Sequence, residues 1–246
     1  MNLSFRFFLR PLLVVVAGVG GIVKLHAADT PEALAVERAD VQKQFPEAFA
    51  PVVDDPALPR VLIIGDSISI GYTPFVRASL KGVANVHRVF ENGGPTSRGL
   101  MQLSTWLGSG HWDVIHFNWG LHDLKRDESK QVQVPIRDYE RNLRTLVAKL
   151  KATGAKLVFA TTTPVPGRTS NRTEEDVVAY NAVAVRVMHE LGVPLDDLHA
   201  FALPQLATIQ LPKNVHYTSK GYEALAGPVT AAIRTQLGAK RRSSLP

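Results

Sequence analysis

The chain has 246 residues, no cysteine, 28 lysines and arginines against 22 acids, and a formal net charge of +6. That length can bury the full core of one α/β domain, and the absence of thiols excludes disulfides, thiol catalysis and thiolate metal sites. Much of the excess charge sits near the two ends, in Arg6, Arg10 and Lys24 and in Lys240-Arg241-Arg242, so it does not argue for a nucleic-acid partner.

Residues 1–27 read as a secretory signal. Arg6 and Arg10 form a basic start, residues 11–23 are apolar, and Leu25-His26-Ala27 offers a small-residue cut before Ala28. The apolar run is short for a bilayer span, and Lys24 beside the cut leaves a retained N-terminal anchor as the alternative. Secretion or delivery to a periplasm follows, with no stable membrane insertion after cleavage. Residues 28–58 form an N-terminal extension, with a short surface helix over 32–44 and a linker or strap from 46 to 59. The main domain is expected over 59–240, and a disordered basic tail over 241–246.

The domain opens on Val61-Leu62-Ile63-Ile64 followed by Gly65, a short apolar β-branched run that reads as a buried parallel strand. A helix is expected over 68–80, which puts Ser67 in the turn between them. There a hydroxyl stands at the carboxyl edge of the sheet, beside helix N–H groups that favour a negative oxygen. The plain alternative for Ser67 is a helix N-cap. Further strands are read over 84–91, 114–117, 156–160 and 193–198, and helices over 100–107, 136–152, 174–191 and 221–237. Strands alternating with helices over short connections argue for about five parallel strands covered on both faces.

Four turns then converge on one sheet edge. They carry Ser67, Gly93-Gly94, His122 and, just before the last helix, His216. Acyl transfer needs these types: a hydroxyl nucleophile, an imidazole to take its proton, and donors for the oxyanion. His87, His111, His116, His189 and His199 show no metal-ligand spacing, and no cofactor is implied.

The blocks Gly65-Asp66-Ser67, Gly94 with Thr96-Ser97, Gly120-Leu121-His122-Asp123 and Val215-His216, in that order, resemble the SGNH hydrolase superfamily of GDSL-type esterases and lipases. The resemblance runs over about residues 60–237. It implies a flavodoxin-like three-layer α/β/α sandwich in which Ser67 attacks an ester and His216 is the base. The oxyanion would be held by the Ser67 N–H, the Gly94 N–H and the side chain at position 122. Two departures stand out. The family's block-three asparagine is His122 here, so a neutral or charged imidazole must donate in its place, with Asn118 as a second candidate. The usual aspartate three residues before the histidine is Lys213, which cannot orient or stabilise an imidazolium. His216 is then oriented by a main-chain carbonyl, by Asn214, or by a carboxylate from elsewhere such as Asp196 or Asp197. Asp66 and Asp123 are assigned supporting places, Asp123 as a tie between the third turn and its neighbours. The resemblance and the leader together imply a secreted serine esterase acting on an O-acetyl or short acyl group of a carbohydrate. A lipid-directed esterase and a catalytically weakened glycan-binding member are the alternatives. Oligomeric state has no signature in the sequence.

Overall fold

A computed structural model of the chain describes residues 30–167, 169 and 171–242; the segment read as a secretory signal lies outside the described residues. Strand β1 (Arg60–Ile64) is buried from Val61 onward, as its unbroken apolar run requires. It pairs on one side with β2 (Asn85–Arg88) and on the other with β3 (Val114–Phe117); β4 (Lys156–Ala160) and β5 (Leu195–Asp196) follow. All pairs are parallel, in the order β2-β1-β3-β4-β5. The chain thus steps outward from β1 to β2 and returns to β3, which makes the cleft between the ends of β1 and β3 a topological switch point.

The layers follow from the connections. Helix α3 (Ser67–Ser79) packs against the final helix α9 (Ser219–Arg242). Helices α4 (Thr96–Leu107), α5 (Ile136–Lys151) and α6 (Glu174–Glu190) pack side by side in the other layer. α5 shows why: Tyr139, Leu143, Leu146, Val147 and Leu150 fall on one buried stripe. α6 starts where Thr173 Oγ1 accepts the Asp176 N–H, with three acids in its first turn.

The differences from the sequence reading lie at edges and ends. β2 is four residues rather than eight, because its register with β1 ends at Ile63 and Arg88. The chain then turns so that the Gly93 N–H reaches the Gly65 carbonyl at 3.0 Å. β5 keeps only two residues, paired to the end of β4. α4 begins four residues early, since the Thr96 N–H is held by Asp123 Oδ1 at 2.9 Å. Two short helices, α7 (Leu198–Ala202) and α8 (Leu206–Ile209), escape a periodicity argument. α9 runs on to Arg242, through residues read as a disordered tail.

The N-terminal extension packs against the domain that follows it. Its helix α1 (Pro31–Gln44) forms as expected, capped by Thr30 and started by Pro31, with a one-turn helix α2 (Pro46–Phe49) after it. The extension does not stand apart from the domain. Arg38 Nη2 meets Glu91 Oε2 at 3.1 Å, Gln42 Nε2 donates to the Phe90 carbonyl at 2.6 Å, and Arg98 Nη1 lies 3.0 Å from Glu37 Oε2. Residues 54 and 55 then strap across the sheet edge: Asp54 pairs with Arg60 and His87, and the Asp55 backbone exchanges hydrogen bonds with the Asn85 side chain.

Candidate active site

The turn after β1 is stabilised from several sides. Asp66, not Ser67, is the N-cap of α3: its Oδ1 accepts the Ile68 N–H at 2.9 Å. Ser67 is therefore the first helical residue, whose N–H has no partner within the helix. Behind it, Ser69 Oγ donates to the Asp66 carbonyl at 2.7 Å and accepts from the buried Arg88 at 3.2 Å. The glycine at 93 is required by close approach, because a Cβ there would lie 2.9 Å from the Gly65 oxygen.

His216 reaches this turn from the loop before α9. Its Nε2 lies 2.9 Å from Ser67 Oγ. Its Nδ1 lies 2.9 Å from Asn214 Oδ1, and the same oxygen accepts the His216 main-chain N–H at 3.0 Å. That second bond decides the chemistry. A backbone N–H can only donate, so the Asn214 oxygen faces His216, and Nδ1 must carry the proton; Nε2 is left with a lone pair toward Ser67. Of the orienting groups considered from the sequence, Asn214 is the one present. Asp196 instead pairs with buried His116 at 2.9 Å, and Asp197 caps α7 and accepts from Thr161. Lys213 is exposed, on left-handed backbone with φ +54°.

Burial first, and then the positive charge of Arg172, hold His216 below the ordinary histidine value of 6.5; the Asp66 carboxylate opposes them. Asp66 itself is raised by burial. Among the described residues, it is the carboxylate whose charge favours a protonated His216.

Ser67, His122, Asn214 and His216 line a single cavity of about 1050 Å³. His122 makes no side-chain hydrogen bond among the described residues. Burial, followed by the charges of Arg172, Arg98 and Lys125, pushes it down to about 3, so it is a neutral donor at ordinary pH and no imidazolium is available there. Two expected donors already make bonds within the protein, although the Asn118 amide keeps its second hydrogen. The Gly94 N–H, on left-handed backbone at φ +56°, bonds Asn92 Oδ1 at 3.0 Å. Asn118 Nδ2 donates to the Ala160 carbonyl at 2.8 Å, tying β3 to β4, and Asn118 does not line the main cavity. Asp123 is buried, with its first oxygen bonded to the Thr96 N–H and hydroxyl. Burial raises it to about 7, and it ties the third turn to α4.

Two groups escaped the sequence reading. Asn92 lines the cavity; its oxygen accepts the Gly94 N–H, and its NH₂ makes no hydrogen bond among the described residues. Arg172 also lines it, held by Nε to the Leu121 carbonyl at 2.7 Å and by Nη1 to Asn171 Oδ1 at 3.0 Å. Asn92 stood in plain view in the glycine turn. Arg172 lies in a loop far from every motif, and no spacing marks it.

These features agree with what the chain resembles. The GDSL-like lipase/acylhydrolase family model matches residues 63–224. No curated protein matches the sequence significantly. Among solved structures, the acetyl xylan esterase AlAXEase is similar at TM-score 0.63 and 18% identity, over 71% of this chain and 99% of that one. The lipase/acylhydrolase from Enterococcus faecalis is similar at 0.62 and 20%, over 72% and 96%. The acetylxylan esterase Axe2 from Geobacillus stearothermophilus is similar at 0.58 and 19%, over 71% and 94%. At these identities the structural likeness speaks for the fold, and the family match carries the assignment: the chain belongs to the GDSL-like lipase/acylhydrolase family of the SGNH hydrolase superfamily, and it is a carboxylic ester hydrolase.

Proposed function

We propose that this protein is an exported serine esterase that removes an O-acetyl or other short acyl group from a carbohydrate, with Ser67 as nucleophile, His216 as general base and Asn214 as the group that orients it. The single observation that carries the reading is the 2.9 Å approach of His216 Nε2 to Ser67 Oγ across 149 residues of chain. Ser67 Oγ attacks the ester carbonyl while its proton passes to Nε2. The tetrahedral oxyanion is met by the Ser67 N–H, by neutral His122 and by the Asn92 NH₂. Collapse expels the alcohol, which takes the proton from His216, and water then cleaves the acyl-enzyme by the same route.

Asn214 fixes the tautomer but adds no charge, so the imidazolium is stabilised less than it would be beside a carboxylate. The Asp66 field supplies part of that deficit. Support for a sugar alcohol comes from the leader's sequence, from polar groups around the cavity, and from similarity in fold to two acetylxylan esterases. Among the described residues no helix is long and apolar enough to cross a membrane.

The test is hydrolysis of p-nitrophenyl acetate by the purified protein, with labelling by a fluorophosphonate. Ser67→Ala is expected to lose at least ~10³-fold in kcat and all labelling. Turnover at the wild-type level in that variant defeats the assignment. A wild-type protein that is not labelled but binds acetylated sugars is a binding module on an inherited scaffold.

A further inference from the structure

The family match begins at residue 63, yet one wall of the cavity at Ser67 is built from α1, which precedes it. Glu32, Val36, Asp40 and Gln44 recur every four residues, so they form one row along the helix, and all four line that cavity. Glu32, Asp40 and Gln44 are exposed and have no hydrogen-bond or ion-pair partner among the described residues. A second cavity, of about 450 Å³, shares Gln44, Phe45 and Tyr222 with the first and continues between α2 and α3 past Ile70, Pro74 and Phe75. Three half-buried aromatic rings, Phe45, Phe75 and Tyr222, therefore follow the acceptor row away from Ser67. The Tyr222 ring lies against Gly71, where any side chain would collide with it.

We propose that α1 and these three rings form an elongated groove that holds the sugar chain of the ester, with units beyond the reacting one packed on the aromatic faces. The proposal rests on the carbohydrate reading above and says where that substrate lies. Carboxylates and an amide in a row suit vicinal hydroxyls, which donate to them, and they repel the phosphate of a lipid headgroup or a free fatty acid. Aromatic rings suit the C–H faces of pyranoses, which bury apolar area without leaving hydroxyls unpaired. Two cavities that adjoin at Gln44, Phe45 and Tyr222 suit a substrate longer than a single ring.

The experiment is a length series: kcat/KM for acetylated xylose, xylobiose, xylotriose and xylotetraose. The wild type is expected to gain about tenfold from one unit to four, a step of ~1.4 kcal/mol in transition-state binding. Val36 is 63% exposed, so Val36→Trp fills the groove without touching the core and should collapse the tetramer-to-monomer ratio toward one. Phe75→Ala, at the far end, should lower the same ratio independently, with melting curves to verify folding. A flat series in the wild type, or a gain that survives both substitutions, overturns the groove and leaves the esterase assignment standing. A rate that climbs instead with acyl length, from p-nitrophenyl acetate to decanoate, and that Phe75→Ala removes, makes the second cavity an acyl site and also overturns it. A wild-type protein that cleaves no ester defeats the function reading; calorimetric binding of xylotetraose, weakened by Val36→Trp, would still uphold the groove, and no binding would end it.

Discussion

The two halves of the Ser67–His216 pair are stabilised in opposite ways. Ser67 stands at the end of a central strand, on a turn tied by Asp66, Ser69, Arg88 and the Gly65–Gly93 backbone bond. His216 stands on a loop where Asn214 is exposed, Lys213 adopts left-handed backbone, and the orienting bond comes from only two residues away. The proposed nucleophile is positioned by the core and the proposed base by local geometry. Errors in the first should therefore unfold the turn, and errors in the second should change the rate and its pH dependence while the fold survives.

Several substitutions can break or sharpen that contrast. The largest effect is expected from His216→Ala, at least ~10³-fold in kcat with little change in melting temperature, because general-base catalysis is lost while the frame stays. A melting loss comparable to that of a core deletion would show the loop to be part of the frame. Next is Asn214→Ala, which removes the two neutral hydrogen bonds its oxygen makes with His216, one of them to the imidazole, and should cost about tenfold in kcat. Equal activity in that variant would mean that the imidazole is oriented by its surroundings alone.

Charge changes should move the acid limb of the rate. In the wild type His216 is held below 6.5, so kcat/KM should persist as pH falls and be lost only when the imidazole protonates. Asn214→Asp places a negative charge at Nδ1, stabilises the imidazolium and moves that limb to higher pH. Arg172→Gln removes a positive charge and moves it the same way by less than about one unit. A limb that shifts downward in either variant contradicts the electrostatics described. The smallest effect is Lys213→Gly: relief of left-handed strain, offset by the entropy of glycine, leaves a gain of ~0.5 kcal/mol in unfolding free energy, readable by denaturant titration. Destabilisation instead would mean that the lysine stem packs against the loop.

How much of this was legible along the chain varied with the range of the interaction. The central strands β1, β3 and β4 and helices α5 and α6 follow from apolar period and capping, and their bounds agree with the periodic stretches to within a residue or so. The edge strands β2 and β5 are shorter than the stretches read for them because pairing partners end a strand, and partners lie elsewhere in the chain; Pro194, Asp196 and Asp197 also make the β5 stretch a poor strand former. Among candidate site residues, motif order singles out Ser67 and His216, which the fold brings within 2.9 Å of each other. Which hydrogens are already engaged is not visible along the chain. The Gly94 N–H bonds Asn92 Oδ1, and one Asn118 amide hydrogen goes to the Ala160 carbonyl.

Local order along the chain was enough to name an α/β fold, a serine at the end of its first strand and a histidine before its last helix, because strand period, helix caps and turn residues act over a few positions. It could not say that Asn214 Oδ1 stands 2.9 Å from His216 Nδ1, that Asp66 and Arg172 act on His216 with opposite signs, or that α1 walls the cavity. Those depend on which atoms stand within about 3 Å or a few charge separations of one another. Such distances are set when segments far apart in sequence pack, and no local pattern encodes them.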